Sequence, residues 1–319
     1  VTGRLVRRLL ASLLVVWAVA TATFFLVSLA PGDLATKLTD PRIAPAARER
    51  LRQHYGLDRP LAKRYLAWLS GVVLGDFGDS FLYRRPVREV LAQALPNTLL
   101  LATVGLCLEL ILGVVLGLVQ VRRPHGFWDR ALSAFSLTAY ALPTFLVAAG
   151  LIWLFAYRWP LFPPSHMTGL LAPADPWTTI KDRLWHLALP AITVGLTGCG
   201  AVARYLRGAL LDEQAQTYIL GALARGASRS RVVLVHALPN AALPLITLLG
   251  LSLPFLVSGA LVIEVLFSWP GMGQVFYSAV TARDIPLIQA VTILVTAAVV
   301  VGNWLADVAY ALADPRIRR

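Results

Sequence analysis

The sequence predicts an all-α, polytopic membrane protein with six transmembrane helices. Hydrophobic residues make up 57% of its 319 residues and charged ones 14%, with a mean hydropathy of +0.68. A water-soluble domain holds about 45–50% and about 25%, so a soluble core cannot absorb the excess. The apolar residues are gathered into stretches of about 20, the length a helix needs to cross a hydrocarbon layer about 30 Å thick. The arginines fall between alternate stretches, as they do when one side of a membrane collects the basic loops. Helices are expected because lipid leaves backbone N–H and C=O groups no outside partner, and the stretches lack the alternation of a barrel strand.

Taken in order, the first span covers about 9–30, behind Arg4, Arg7 and Arg8. Its apolar run is longer than that of a cleaved signal peptide and further spans follow, so it reads as a retained helix, with 1–30 as the cytoplasmic start and first crossing. Residues 31–94 form an external helical segment, opened by the turn Ala30-Pro31-Gly32-Asp33. Within it a charged helix is expected at about 44–55, broken by Gly56-Leu57-Asp58-Arg59-Pro60. A second follows at 61–72, with Leu61, Tyr65, Leu66 and Leu69 on one face. After a turn at Gly75-Asp76-Phe77-Gly78 comes a third short helix, 86–95. The segment is too short and too thinly apolar to be an enzyme domain.

Residues 95–319 form the core, with spans at about 97–120, 131–157, 185–206, 241–266 and 287–312. The loop 158–184, with Pro160, Pro163, Pro164, Pro173 and Pro176, reads as irregular. Arg122, Arg123, Arg130, Arg204, Arg207, Arg225, Arg229, Arg231, Arg316, Arg318 and Arg319 share one face with the N-terminus, and the short loops opposite hold only Arg158, Lys181, Arg183 and Arg283. Both termini are therefore expected in the cytoplasm. The formal charge of +12 is then a topology signal, and no nucleic-acid motif accompanies it. Cys107 and Cys199 fall inside spans and read as small packing residues, and His125 and His186 stand apart from any metal-ligand spacing.

The cytoplasmic loop 208–240 is the most informative stretch. Asp212 to Arg225 has helical composition, Gly226 is placed to stop that helix, and Ser228 to cap a second one through Arg231, Val233 and Val235. Such a knob has no need to be apolar, yet it carries Tyr218, Ile219, Leu220, Leu223, Val232 and Val233. Either it packs back on its own bundle or it meets a protein partner.

At this loop the sequence resembles the permease subunits of binding-protein-dependent ABC importers. Their loop reads E-A-A, three residues, G, nine residues, I, one residue, L-P. Here Leu220-Gly221-Ala222, Gly226, His236 and Leu238-Pro239 stand at those positions. Leucine replaces the acid and Gly221 the first alanine, a change that costs a helix about 1 kcal/mol. The likeness runs over nearly the whole chain and is strongest to the dipeptide, oligopeptide and nickel class. Its pieces include Ala30-Pro31-Gly32-Asp33, Gly56-Leu57-Asp58, Arg204, Arg207, Phe267-Ser268-Trp269-Pro270-Gly271, Ala282-Arg283-Asp284 and Asp314-Pro315-Arg316.

The resemblance implies two permeases forming one pathway, an external solute-binding protein, and one or two soluble P-loop ATPases that hold ATP and magnesium. It also implies that Tyr218, Ile219, Leu220, Gly221, Ala222, Leu223, Arg225, Gly226, Leu238 and Pro239 form the coupling element that enters the ATPase. Independently, the only lysines are Lys37, Lys63 and Lys181, and none lies in G-x-x-x-x-G-K-[ST]. The chain thus carries no P-loop, no cofactor is expected in it, and it reads as a transport subunit rather than an enzyme.

Glu109, Glu264 and Asp307 lie in or beside spans, where a charge costs about 2.5–3.5 kcal/mol and wants a reason. Glu109 and Glu264 are candidates for lining the pathway; packing, or a place near the interface, is the plainer role. Trp269-Pro270-Gly271 reads as an interfacial aromatic on a tight turn that anchors the outer end of span five. Two alternatives remain: an ion-coupled secondary transporter using these acids, and the same importer type carrying nickel complexes or sugars. An intramembrane enzyme is disfavoured, since neither H-E-x-x-H nor G-x-S-x-G is present. The expected setting is the inner membrane of a prokaryote, in contact with lipid.

Overall fold

The computed structural model describes residues 2–29, 59–169, 175–242, 245, 252 and 261–313. The expected helix at 44–55, the turns at 30–33 and 56–58, most of the fifth span, the side chain of Asp307 and the tail from Asp314 lie outside them. Among the described residues the regular structure is helical, apart from one isolated antiparallel bridge between Asp79 and Pro86. Four helices are long and apolar enough to cross a membrane, and a bent pair makes a fifth if counted as one span.

The chain divides into two compact units. The first comprises residues 1–94 and 275–300. Its opening helix, α1 (Thr2–Leu29), carries the first apolar stretch. Helix α2 (Leu61–Val73) is the expected second helix of the external segment. Its Tyr65 and Trp68 rings pack on Phe24 of α1, and the Tyr65 hydroxyl lies 2.7 Å from Thr21 Oγ1. A buried knot closes a turn of this unit. The Asp284 carboxylate accepts bonds from the Ser80 hydroxyl (2.5 Å) and the Leu82 N–H (2.9 Å), and no part of Asp284 is exposed.

Helix α3 (Val87–Gln120) runs without a break through Pro96. The third short helix expected at 86–95 is thus the first turns of the second span. The stretch expected as one span at 131–157 is two helices, α4 (Phe127–Ala141) and α5 (Thr144–Ile152), the latter continued by a π-helical turn, Trp153–Arg158. The two directions differ by 104°. Pro143 favours the break: a proline disfavours the helical region for the residue before it, and Leu142 is extended at φ −71°, ψ 134°.

Helix α6 (Pro176–Gln214) starts nine residues before the expected boundary, so the loop expected at 158–184 is irregular only in part. Hydropathy alone misplaces this start. The side chain of Asp175 caps it by accepting the Thr178 N–H (3.1 Å), and Pro176 supplies a first residue that needs no donor. Helices α3 and α6 approach closely because glycines line the contact: a Cβ on Gly105 would fall 2.6 Å from Val194 Cγ1, and one on Gly117 3.2 Å from the Ala203 carbonyl.

Beyond α6 come α7 (Thr217–Ala224), α8 (Arg229–Arg231), a π-helical turn (Val232–Ala237) and α9 (Leu238–Ala241). They are followed by α10 (Leu261–Leu266), α11 (Met272–Ala282) and α12 (Ile285–Ala313). The second unit, residues 95–274 and 301–319, holds the knob and the core on which it sits.

Candidate functional site

The knob is built by local chemistry that the sequence spells out. Helix α7 ends at Gly226 with φ +86°. The Gly226 N–H donates to the Leu223 carbonyl (2.9 Å) and the Ala227 N–H to the Ala222 carbonyl (3.1 Å). These two bonds form a Schellman motif, which calls for a left-handed residue at the C′ position. Ser228 then accepts the Arg231 N–H as the next N-cap. Where one helix was expected from Asp212 to Arg225, there are two: α6 ends at Gln214, and two residues reset the direction before α7.

The knob has an inner and an outer face. Ile219, Ala222 and Val232 are buried in one cluster with Val121, Val202 and Leu206 of the bundle. Tyr218, Leu220 and Leu223 are exposed. The apolar character of the loop therefore has two sources: alternate residues serve the chain's own core and an open surface. Beside the outer face lies a recess of about 650 Å³, lined by Arg122, Leu223 and Arg229 among others.

Tyr218 ties the knob together. Its hydroxyl donates to Glu213 Oε2 at the end of α6 and accepts a bond from Asn240 Nδ2 (2.8 Å) in α9. Glu213 holds the phenolic proton in place and raises the Tyr218 pKa. Leu238 and Pro239 close the element: the Leu238 N–H reaches back to the Val233 carbonyl, and Pro239 has no N–H to continue a regular ladder. Gly221 has room, since a Cβ there would meet only Arg225 Nη1, at 3.5 Å.

The two candidate pathway acids sit in different settings. Glu264 is fully buried. Its Oε1 accepts the Thr98 hydroxyl (2.9 Å) and its Oε2 the N–H groups of Gly273 (2.7 Å) and Gln274 (3.3 Å). Thr98 Oγ1 in turn accepts the Met272 N–H (2.7 Å), and a Cβ on Gly271 would collide with both side chains. In this structure Glu264 braces the turn between α10 and α11, with both oxygens satisfied inside the chain. Trp269 belongs to the same brace. It is wholly buried rather than interfacial, and its Nε1–H donates to the Asn97 carbonyl (2.9 Å). Glu109 is half-buried and pressed against Gly198 of α6, with no hydrogen-bond partner among the described residues.

One ion pair escaped the sequence. Asp129, at the start of α4 and 3% exposed, takes Arg207 Nε on Oδ1 and Arg207 Nη2 on Oδ2, both at 2.7 Å. Asp129 Oδ2 also accepts the His125 N–H (2.8 Å), which fixes the turn between α3 and α4. In the sequence Arg207 stands out only as one of many arginines expected on the cytoplasmic side. The signal available was a lone acid in a basic loop.

Residues 109–319 match the family described as "binding-protein-dependent transport system inner membrane component", and residues 2–102 match its N-terminal companion. The oligopeptide transport system permease protein AppB of Bacillus subtilis is 37% identical over 314 residues, covering 98% of each chain. The probable D,D-dipeptide transport system permease protein DdpB of Escherichia coli is 36% identical, covering 96% of this chain and 94% of its own. Among solved structures, the inward-facing MetNI methionine ABC transporter shares the fold. Its matched chain aligns with a TM-score of 0.55 at 20% identity, covering 71% of this chain and 97% of its own. Matched along nearly its whole length, this chain belongs to the family of binding-protein-dependent transport system inner membrane components.

Proposed function

We propose that the chain is one of two permeases in an ATP-driven importer of peptides, coupled to a separate ATPase through the knob at 217–239. The observation that carries this reading is the division of the knob. Ile219, Ala222 and Val232 fix it to the bundle, while Leu220 and Leu223 stand exposed on its other side. A loop serving only its own bundle has no reason for that outer pair, and a loop that docks into a partner does. Arg122 and Arg229 in the adjoining recess suit acidic groups on the same partner. Peptides are the proposed solute because relatives that match end to end are named for oligopeptide and dipeptide transport.

On this reading six spans place both termini in the cytoplasm of a prokaryote, with the chain in its inner membrane. A second permease completes the pathway, an external binding protein delivers the peptide, and one or two P-loop ATPases hold ATP and magnesium. Tyr218, Leu220, Gly221, Leu223 and Arg225 face the ATPase; Gly226, Leu238 and Pro239 hold the knob's shape. Closure of the ATPase pair then moves α6 and the knob as one piece.

The test is purification of the tagged chain from its native membranes in mild detergent, beside a Leu220→Asp, Leu223→Asp variant. A P-loop ATPase and a second permease should accompany the wild type. The variant should keep the permease and lose the ATPase. If no ATPase accompanies the wild-type chain in any lipid, the importer reading is wrong and an ion-coupled transporter takes its place.

A further inference from the structure

Helix α2 (Leu61–Val73) has more apolar surface than the chain covers. Projected at about 100° per residue, Leu61, Tyr65, Trp68, Leu69 and Val72 fall on one side, and Ala62, Leu66 and Val73 continue that arc. Only the first part of the arc is packed. Tyr65 and Trp68 lie on Phe24 of α1, and Tyr65 also stacks on Phe25, with ring centroids 5.7 Å apart. On the remaining edge Leu66 is 63% exposed and Val73 79%, and Leu74, which follows the helix, is 84% exposed. The opposite arc holds Lys63, Arg64, Ala67 and Ser70, with Arg59 just ahead of it, and the helix carries no acid. Arg59, Lys63 and Arg64 form no ion pair among the described residues.

The place where α2 is attached says what meets that edge. The apolar stretch of α1 runs from Leu10 to Ser28. The Tyr65 hydroxyl reaches Thr21, seven residues before the end of that stretch and so about 10 Å inside it. Phe24 is four residues, or about 6 Å, inside it. Helices that lie in the plane of a bilayer surface sit about 5–10 Å into the boundary between headgroups and acyl chains, with Lys and Arg on one face and Leu and Trp on the other. Both the depth and the division of faces agree. A soluble partner stays outside that depth, and three unpaired cations along one side suit phosphate groups rather than the apolar packing between spans.

We infer that α2 is an interfacial anchor. Leu66, Val73 and Leu74 insert among the acyl chains of the leaflet at the Ser28 end of α1, and Arg59, Lys63 and Arg64 hold the phosphates of anionic phospholipid there. The inference rests on α1 crossing the membrane, as the importer reading places it. It makes the segment that follows the first span an element bound to the membrane surface, with a site for one class of lipid.

The test is photo-crosslinking of the purified chain with its accompanying subunits, in nanodiscs of equal parts phosphatidylglycerol and phosphatidylcholine. p-Benzoylphenylalanine is placed at Leu66, Leu74, Ala67, Leu10 or Leu26, one position at a time; all five side chains are exposed. Mass spectrometry identifies what each position captures. Leu66 and Leu74 should give phospholipid adducts, and Ala67, on the polar arc, severalfold less. Phosphatidylglycerol should outnumber phosphatidylcholine severalfold in those adducts, and Lys63→Gln with Arg64→Gln should return the ratio towards that of the disc. Capture of a protein chain at Leu66 and Leu74 overturns the inference, as does equal lipid capture at Ala67 or a lipid ratio that the two glutamines leave unmoved. Leu10 and Leu26 face nearly opposite ways on α1 and report on the crossing itself. Lipid adducts there with none at Leu66 and Leu74 remove the anchor alone. No lipid adduct at any position removes the crossing of α1 as well.

Discussion

Replacing Gly221 by alanine should strengthen the knob, and the size of the effect follows from the structure. Gly221 sits in the middle of α7, a helix of only eight residues. Glycine in a helix interior costs about 0.8–1.0 kcal/mol relative to alanine, mainly through the freedom it has in the open state. Nothing in the folded state offsets that gain, since the new methyl would touch only Arg225 Nη1 at 3.5 Å, the far end of a movable side chain. A stabilisation of about 1 kcal/mol is roughly fivefold in a local opening equilibrium. Hydrogen exchange on the chain in nanodiscs reads this directly. Amides of residues 219–227 should exchange about fivefold more slowly, and those of α6 should be unchanged. Unchanged exchange in α7 would refute the reasoning. It would mean that the helix opens only together with the cluster around Ile219, so that propensity is not what limits it. The same variant separates stability from fit. If the ATPase needs the bare backbone at Gly221, ATPase association weakens while protection rises.

Ile219→Ala removes a side chain 1% exposed and should cost about 2–5 kcal/mol, seen as a lower temperature of inactivation in detergent. Leu220→Ala, at 56% exposed, should stay within about 0.5 kcal/mol and alter only ATPase binding. Thr98→Val keeps its shape but strands the Met272 N–H and one oxygen of Glu264, at about 1–3 kcal/mol for each group left unmet; thermal aggregation of the purified chain measures it. Arg207→Ala leaves the Asp129 carboxylate buried and alone. The expected loss is about 2–3 kcal/mol, below the range for a fully buried pair because Arg207 is 24% exposed. Adding Asp129→Asn should recover part of it, and a double-mutant cycle on inactivation temperature checks this.

What the sequence disclosed depended on how local the cause was. Gly226 and Ser228 were legible because a C′ glycine and an N-cap serine act on their immediate neighbours. The start of α6 was missed because hydropathy weighs the apolar middle of a helix, whereas Asp175 and Pro176 set its end. The break at Leu142-Pro143 was written in the sequence as a proline, but a proline leaves open whether a helix bends or continues, and Pro96 in α3 takes the other course. Trp269 was read from its neighbours in sequence as interfacial. Its burial depends on Asn97, 172 residues away. The Asp129–Arg207 pair spans 78 residues and left no local trace. The two faces of the knob could not be separated until the position of the bundle was known, because Ile219 and Leu220 are equally apolar.

Helix α6 is continuous over 39 residues, about 58 Å of helical rise, and Pro190 interrupts its hydrogen-bond ladder once. Only Ala215 and Gln216 stand between it and α7. On the proposed coupling, a push on the knob along the axis is carried by the part of α6 between Gln214 and Pro190 as one stiff piece, since a helix resists compression far better than it resists bending. Its neighbour α4 is built the other way: it ends at Ala141, and the chain turns through 104° before α5. On that reading one element is a pushrod and the other an elbow, and a stroke of the knob changes the spacing between them. The membrane supplies no force for such a stroke, and the proposed coupling brings it in at α7.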